Sequence, residues 1–238
     1  MSVTARMDKV VNDFVARCRW FHEPLTKGRA RMFALQHRLN TRQRNSVLKL
    51  KVAANCDDWD TRMRILQACS EEVIADRRHG GGRPHWAILE DLGVRIGLKR
   101  AELTSAKPLP STQLAWNAWE GLMGNRHWLE GIVANTCAER VNVPGYGRGE
   151  FRRLGWFGLE RWRWRKLFGL DDAALDFFQL HTEADLEHSS TGWRAVEKFA
   201  KKLRMEDAVV TACERNLCVW EHYLNGIAAA GDRHGRRK

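Results

Sequence analysis

Apolar residues recur along this chain at spacings of three and four, the period of an amphipathic helix, while the strict alternation of a half-buried strand is nearly absent. The pattern predicts helices near 4–20, 25–38, 42–55, 59–78, 84–96, 110–124, 126–142, 148–168, 171–201 and 205–230. Backbone punctuation supports their ends: Pro24, the Gly80-Gly81-Gly82 run, Pro84, Pro108, Pro110, Pro144 with Gly145, and Gly169. The expected fold class is all-α. No internal repeat and no low-complexity linker divides the 238 residues, a length suited to one packed domain over 1–230 followed by a basic tail at 231–238.

One stripe breaks the apolar rule. From Asp171 onward it reads Ala174, Phe177, Phe178, His181, Ala184, Asp185, His188, Gly192, Ala195, Val196 and Phe199. Two histidines and an aspartate thus occupy positions that helical spacing turns inward. Burying them without partners costs on the order of several kcal/mol, so an ion-pair network or a metal ion is required. Other polar residues fall on inward faces too. Glu72 shares its face with Ile65, Ala68, Cys69 and Asp76, whereas Glu71 lines up with Arg64 and Gln67 and is expected to point outward. Asp76 reads either as a second carboxylate on the Glu72 face or as a surface residue at the helix end. His85 opens the helix after the glycine run, and by itself suits a capping or loop histidine. Glu139 aligns with Trp128, Ile132, Asn135 and Val143, and Glu130 lies opposite. Alone, Glu139 suits a core salt bridge as well as ligation. Together, inward acids and imidazoles on four helices are what a dinuclear carboxylate site in a helical bundle requires, and mixed oxygen and nitrogen ligation suits iron or manganese better than structural zinc.

Composition narrows the setting. With 29% charged residues and no long apolar run, a membrane-spanning protein is excluded; the first residues, with Arg6, Lys9 and Asp13, do not resemble a signal peptide, so a cytoplasmic location is expected. Six scattered cysteines form no Cys-x-x-Cys pair, which argues against a disulfide framework or zinc ribbon. The net charge of +11 favours anionic partners. In Arg161-Trp162-Arg163-Trp164-Arg165-Lys166, basic and aromatic residues interleave as they do in nucleic-acid binders, but no binding motif accompanies them. A helix with inward tryptophans and solvated arginines is the preferred reading, and nucleic acid is not the expected partner. A small acidic substrate remains, with Arg140, Arg152, Arg153 and the Arg161–Arg165 series as candidate carboxylate partners.

At its acids and histidines the chain resembles the heme-oxygenase-like diiron oxidases, the iron-containing redox enzymes related to pyrroloquinoline-quinone synthase. The resemblance spans most of the chain. It is carried by His181-x3-Asp185-x2-His188, by Glu71-Glu72 leading through the glycine run to His85, and by Glu139 shortly before Pro144. It implies a heme-oxygenase-like helical bundle and two Fe2+ ions, with manganese as the alternative. Six protein ligands would hold them: Glu72 or Asp76, His85, Glu139, His181, Asp185 and His188. Glu72 precedes His85 by thirteen residues and Asp76 by nine, a longer gap than usual for Glu72, so the upstream acid stays open between them. The implied function is an oxidase or oxygenase using O2 as co-substrate to oxidise a small, carboxylate-bearing or amino-acid-derived molecule in specialised metabolism, by N-oxygenation or by oxidative C–C cleavage. A homodimer is compatible with this reading. Two alternatives stay in view: a cofactor-free pyrroloquinoline-quinone-synthase-like or thiaminase-like enzyme on the same fold, and a basic helical nucleic-acid-binding protein. No neighbouring residue marks Cys69 or Cys137 as the activated thiolate a thiaminase would need.

Overall fold

The computed structural model describes residues 1–79 and 81–235; Gly80 of the predicted glycine run and residues 236–238 of the predicted tail lie outside the described residues. The described chain is helical, with no β-strand beyond an isolated bridge between Asp76 and Arg83. In order the helices are α1 (Val3–Arg17), α2 (Arg19–His22), α3 (Lys27–Gln43), a π-helical segment (Arg44–Leu48), α4 (Lys49–Asn55), α5 (Trp59–Val73) and α6 (His85–Arg95). Next come α7 (Arg100–Ser105), α8 (Pro110–Gly124), α9 (Trp128–Arg140), α10 (Gly149–Phe168), a 3-10 turn (Ala173–Leu175), α11 (Asp176–Phe199) and α12 (Glu206–Gly235). Local chemistry sets the ends. The Thr26 hydroxyl and the Asp58 carboxylate accept backbone N–H groups at the starts of α3 and α5, Pro110 opens α8, and Gly169 closes α10 in a left-handed conformation.

The bundle is organised around α9, whose residues are buried from Trp128 to Glu139 except Glu130. Helices α11, α12, α8 and α4 surround it. Helices α9 and α11 approach closely at Gly192, where a Cβ would fall 1.9 Å from Thr136 Oγ1. This explains why the apolar stripe of α11 carries a glycine at that position. Its stripe residues Phe177, Phe178, His181, Ala184, Asp185, His188, Ala195 and Val196 are all buried, as the spacing predicts.

Three departures from the predicted elements affect the interior. The sequence pattern separates helices at 39–41, but the chain runs helically from α3 through the π-helical segment into α4. The reason is a face repeated every four residues: His37, Thr41, Asn45, Lys49 and Ala53 are all buried. In an α-helix such a row drifts by about 40° per step, and the wider π turn takes up that drift. Helix α10 is kinked at Gly155, which has φ 68 and ψ 179. There Trp156 N–H donates to Val141 O, and Phe157 N–H donates to the Asn142 side chain, turning both rings inward. Helix α7 stands in a segment where no helix was expected, while α12 continues past 230 to Gly235 and Arg29 pairs with Asp232.

Gly155 is therefore expected to resist substitution. A Cβ there would sit 2.0 Å from Asn142 O in a left-handed backbone conformation. Gly155→Ala should lower unfolding free energy by about 2 kcal/mol or more. Gly121→Ala, in open space on α8, should raise it by roughly 0.5–1 kcal/mol. Urea unfolding of both variants provides the check, and equal effects would contradict the kink's role.

Candidate metal centre

The acids and histidines singled out in the sequence come from α5, the turn after it, α6, α9 and α11, and they meet in the interior. Glu72, His85 and His181 place one ligand-capable atom each within 4.8 Å of one another, and Glu72, Glu139 and His188 do the same. Glu72 belongs to both groups. Asp185 borders the same space and its carboxylate accepts from Asn142 Nδ2 at 2.6 Å; its other oxygen lies 3.8 Å from His188 Nδ1.

Each histidine has one ring nitrogen engaged away from the centre. His85 Nε2 is 3.0 Å from Asp76 Oδ2, His181 Nδ1 is 2.7 Å from Phe177 O, and His188 Nε2 is 3.0 Å from Glu71 Oε2. The opposite nitrogens face the cluster. His85 Nδ1 and His188 Nδ1 are buried there without a hydrogen-bond partner, as is Glu139 Oε2, although His85 Nδ1 lies 2.9 Å from Glu72 Oε2. An outer acceptor that fixes tautomer and ring orientation is the usual support of a metal-binding imidazole. These orphaned atoms fit a metal centre of mixed nitrogen and oxygen donors.

Glu71 departs from expectation. It is buried and pairs with His188 and Arg78 instead of facing solvent. Helix α5 is wedged between α6 and α11, so two positions about 100° apart both lie within the packed arc. Asp76 lies beyond the end of α5, which stops five residues before its predicted end at 78. Its carboxylate accepts the N–H groups of Arg78 and His79 and reaches back to His85. Glu130 stays outside the cluster and pairs with Arg126.

Lys49 was not anticipated. Its side chain is buried, donating to Glu139 Oε1 at 2.9 Å and to Glu72 Oε1 at 3.3 Å, while Asn45 Nδ2 donates to Glu72 Oε2 at 2.9 Å. The signal was present, because Lys49 shares a helical face with Asn45, Leu48, Val52 and Ala53. The run upstream of it is so polar that no apolar stripe stood out.

Burial opposes charge on each of these groups, and at Glu72, His85 and His188 the mutual pairing reverses its effect. Desolvation alone would raise Glu72, but the Lys49 ammonium and His85 outweigh it and hold the carboxyl well below its usual range. Against the same opposition, Glu72 and Asp76 push His85 up to about 9, and Asp185 and Glu71 push His188 up to about 10. His181 is lowered, by burial first and by nearby His85 second. Cys69 is pushed up to about 11 by burial, which keeps its thiol protonated.

A cavity opens from the cluster, lined by His37, Arg44, Glu139, Trp156, Phe157, His181, Asp185 and Trp220 among others. Its empty space, counting its mouth, is about 430 Å³. None of the arginines proposed from sequence lines it. Arg140 pairs with Asp8, Arg153 with Glu150, Arg161 and Arg165 with Asp172, and Arg163 with Glu160, while Arg152 is exposed. Trp164 packs inward as expected, but Trp162 is half exposed beside Lys166.

A family model described as an iron-containing redox enzyme matches residues 31–221, a span that includes every side chain of the cluster. The chain belongs to that family. The 4-aminobenzoate synthase of Nitrosomonas europaea is 24% identical over 217 residues, 87% of this chain and 81% of that protein. A crystal structure from Shewanella denitrificans OS217, described as a domain of unknown function with a heme oxygenase-like fold, superposes with a TM-score of 0.75 at 17% identity. It covers 96% of this chain and 93% of that one. A CADD-like protein of unknown function from Nostoc punctiforme gives 0.71 at 14% identity, with coverages of 95% and 96%. The fold is therefore heme-oxygenase-like.

Two outcomes follow for the metal-free chain. Lys49→Met leaves two buried carboxylates without their cation and should cost about 3–5 kcal/mol. Lys51→Met, which removes an exposed pair with Glu120, should cost less than about 1 kcal/mol. Urea titration distinguishes the two. The raised values of His85 and His188 contribute stability that is full below the ordinary histidine value of 6.5 and is lost as pH rises through about 9 and about 10. Depressed Glu72 contributes stability that is lost as pH falls through and below 4.5. Unfolding free energy should therefore decline steadily from pH 6.5 toward 10, and a flat profile there would contradict the pairing.

Proposed function

We propose that this iron-containing redox enzyme is a non-heme diiron oxidase or oxygenase that uses O2 to oxidise a small carboxylate-bearing molecule. The observation that carries the reading is the pair of overlapping ligand groups sharing Glu72, each with a histidine whose outer nitrogen is already engaged. In this reading Glu72, His85 and His181 would hold one iron and Glu72, Glu139 and His188 the other, with Asp185 as the sixth ligand. Asp76, bound to the far nitrogen of His85, then acts as an orienting acceptor, and Glu72 is the ligand of that pair. Bound iron would supply the one-electron steps that O2 activation needs.

The remaining work belongs to the side chains. Asp76, Phe177 O and Glu71 fix the three imidazoles so that their inner nitrogens stay directed at the centre. Asn142 holds Asp185 while its own carbonyl side accepts from Phe157 N–H, tying the α10 kink to the cluster. Trp156, Phe157 and Phe177 pack around His181 and His37 and keep water from the buried face. Lys49 offsets one of the two charges of Glu72 and Glu139, and iron bound at these acids would supply further positive charge there.

The relative's name, 4-aminobenzoate synthase, supports an aromatic carboxylate among the molecules this family handles. A thiaminase-type alternative finds no support at Cys69, whose thiol is held protonated.

Anaerobic reconstitution with Fe2+ tests the reading. About two irons per chain are expected, together with an absorbance change on adding O2. His181→Ala or His188→Ala should reduce the iron to about one or fewer and remove the O2-dependent change, while Glu130→Ala leaves both as in the wild type. Fewer than about one iron in the wild type, or equal behaviour of the variants, would overturn the assignment.

A further inference from the structure

Of the four buried arginines and lysines among the described residues, Arg29, Arg38 and Lys49 each lie against carboxylates, and Arg44 lies against none. Arg44 is only 4% exposed. Its Nη2 donates to the carbonyls of Ala134 and Asn135 at 3.1 and 3.0 Å, its Nε is buried without a partner, and its Nη1 makes no hydrogen bond to the described residues. The guanidinium lies 5.4 Å from the ring centres of both Trp119 and Trp220, which offsets part of the cost of burying a cation but leaves its donors unmet.

This guanidinium lines the cavity that opens on Glu139, His181 and Asp185. The other walls are flat rings: Trp156, Phe157, Trp220 and His37. The Nε1 atoms of Trp156 and Trp220 and Nδ1 of His37 are also buried without partners. Glu139 is held by Lys49 through Oε1 and Asp185 by Asn142 through Oδ2; both act on Arg44 through their charge, but among the described residues neither forms an ion pair with it. We propose that Arg44 binds the carboxylate of a small, flat monocarboxylic acid whose body lies among Trp156, Phe157 and Trp220. Its far end then faces Glu139, His181 and Asp185. A single guanidinium matches a monoanion, whereas a dianion such as a phosphate ester would meet uncompensated repulsion from the neighbouring acids.

The proposal rests on the oxidase reading for its account of what happens to the bound acid, but the binding step requires no metal. It can be tested with the metal-free full chain, using benzoate and its neutral isostere benzamide in calorimetric titrations. Wild type should bind benzoate at least about tenfold more tightly than benzamide. Arg44→Gln should bring benzoate down to the benzamide level while benzamide changes by less than about twofold, and Arg44→Lys should keep an intermediate preference. A folded Arg44→Gln chain that still prefers benzoate, or a wild type that binds the two alike, would overturn the assignment.

If Arg44→Gln does not fold, the arginine Nε–H resonances of 15N-labelled wild type decide. The signal that vanishes in Arg44→Lys should shift with benzoate and stay in place with benzamide; an unmoved signal counts against the proposal. Iron content, measured separately, keeps the two readings apart. Benzoate preference without iron loading leaves the Arg44 site standing and removes the diiron function, and iron loading without benzoate preference does the reverse.

Discussion

Charge taken out of water must find its counter-charge inside, and in this bundle that requirement shapes the interior more than apolar packing does. Glu71, Glu72, Asp76, Glu139 and Asp185, with His85, His181, His188 and Lys49, are all buried. Any one of them left unpaired would cost on the order of several kcal/mol, a large share of a folded domain's net stability. Taken together they are tolerable, because each acid lies against a cation, an imidazole or an amide donor. The irregularities of the backbone follow from this need. The π-helical segment keeps Asn45 and Lys49 on the face of Glu72, the turn after α5 brings Asp76 back to His85, and Gly192 lets α11 approach α9 closely enough for His188 and Glu139 to share a site.

The same arrangement divides labour between inner and outer shells of side chains. Asp76 and Glu71 both end on the far nitrogens of histidines, so the acids nearest in sequence to Glu72 serve as supports for His85 and His188. Orientation held from behind directs the inner nitrogens of His85 and His188 at the carboxylates of Glu72 and Asp185, an arrangement that a metal ion between them would satisfy. The aromatic wall continues from His181 through Phe157 and Trp156 to Trp220 and Trp119. Three of the eleven tryptophans, Trp119, Trp156 and Trp220, belong to this wall, which keeps the local dielectric low enough for the polar interactions beside it to matter.

Outside, the arginines behave differently. Those of α10 pair with Asp172 and Glu160 or with backbone oxygens of Trp20 and Glu23, and Trp162 remains partly in solvent. The exposed pairs with Asp172 contribute little to stability, whereas Arg163–Glu160 is a buried pair. The excess positive charge is a property of the surface as a whole, and its physical effect is to raise the local concentration of anions around the protein.

Periodicity by itself determined that the chain is helical, where most helices lie, and that His181, Asp185, His188 and Glu139 face inward, because a repeat of 3.6 residues converts spacing into direction wherever polar residues interrupt an apolar stripe. It did not reach the partners. Glu71 was read outward because a single helix has no knowledge of how many neighbours enclose it, and α5 is enclosed on two sides. Lys49 and Arg44 lie in a run with too little contrast for a stripe to stand out, and a π turn, which no spacing rule anticipates, alters the phase there. Whether Asp76 or Glu72 stands nearer the centre depended on where α5 ends and how the following turn folds back. These were decisions of tertiary structure, made by the need to pair buried charges across helices far apart in sequence.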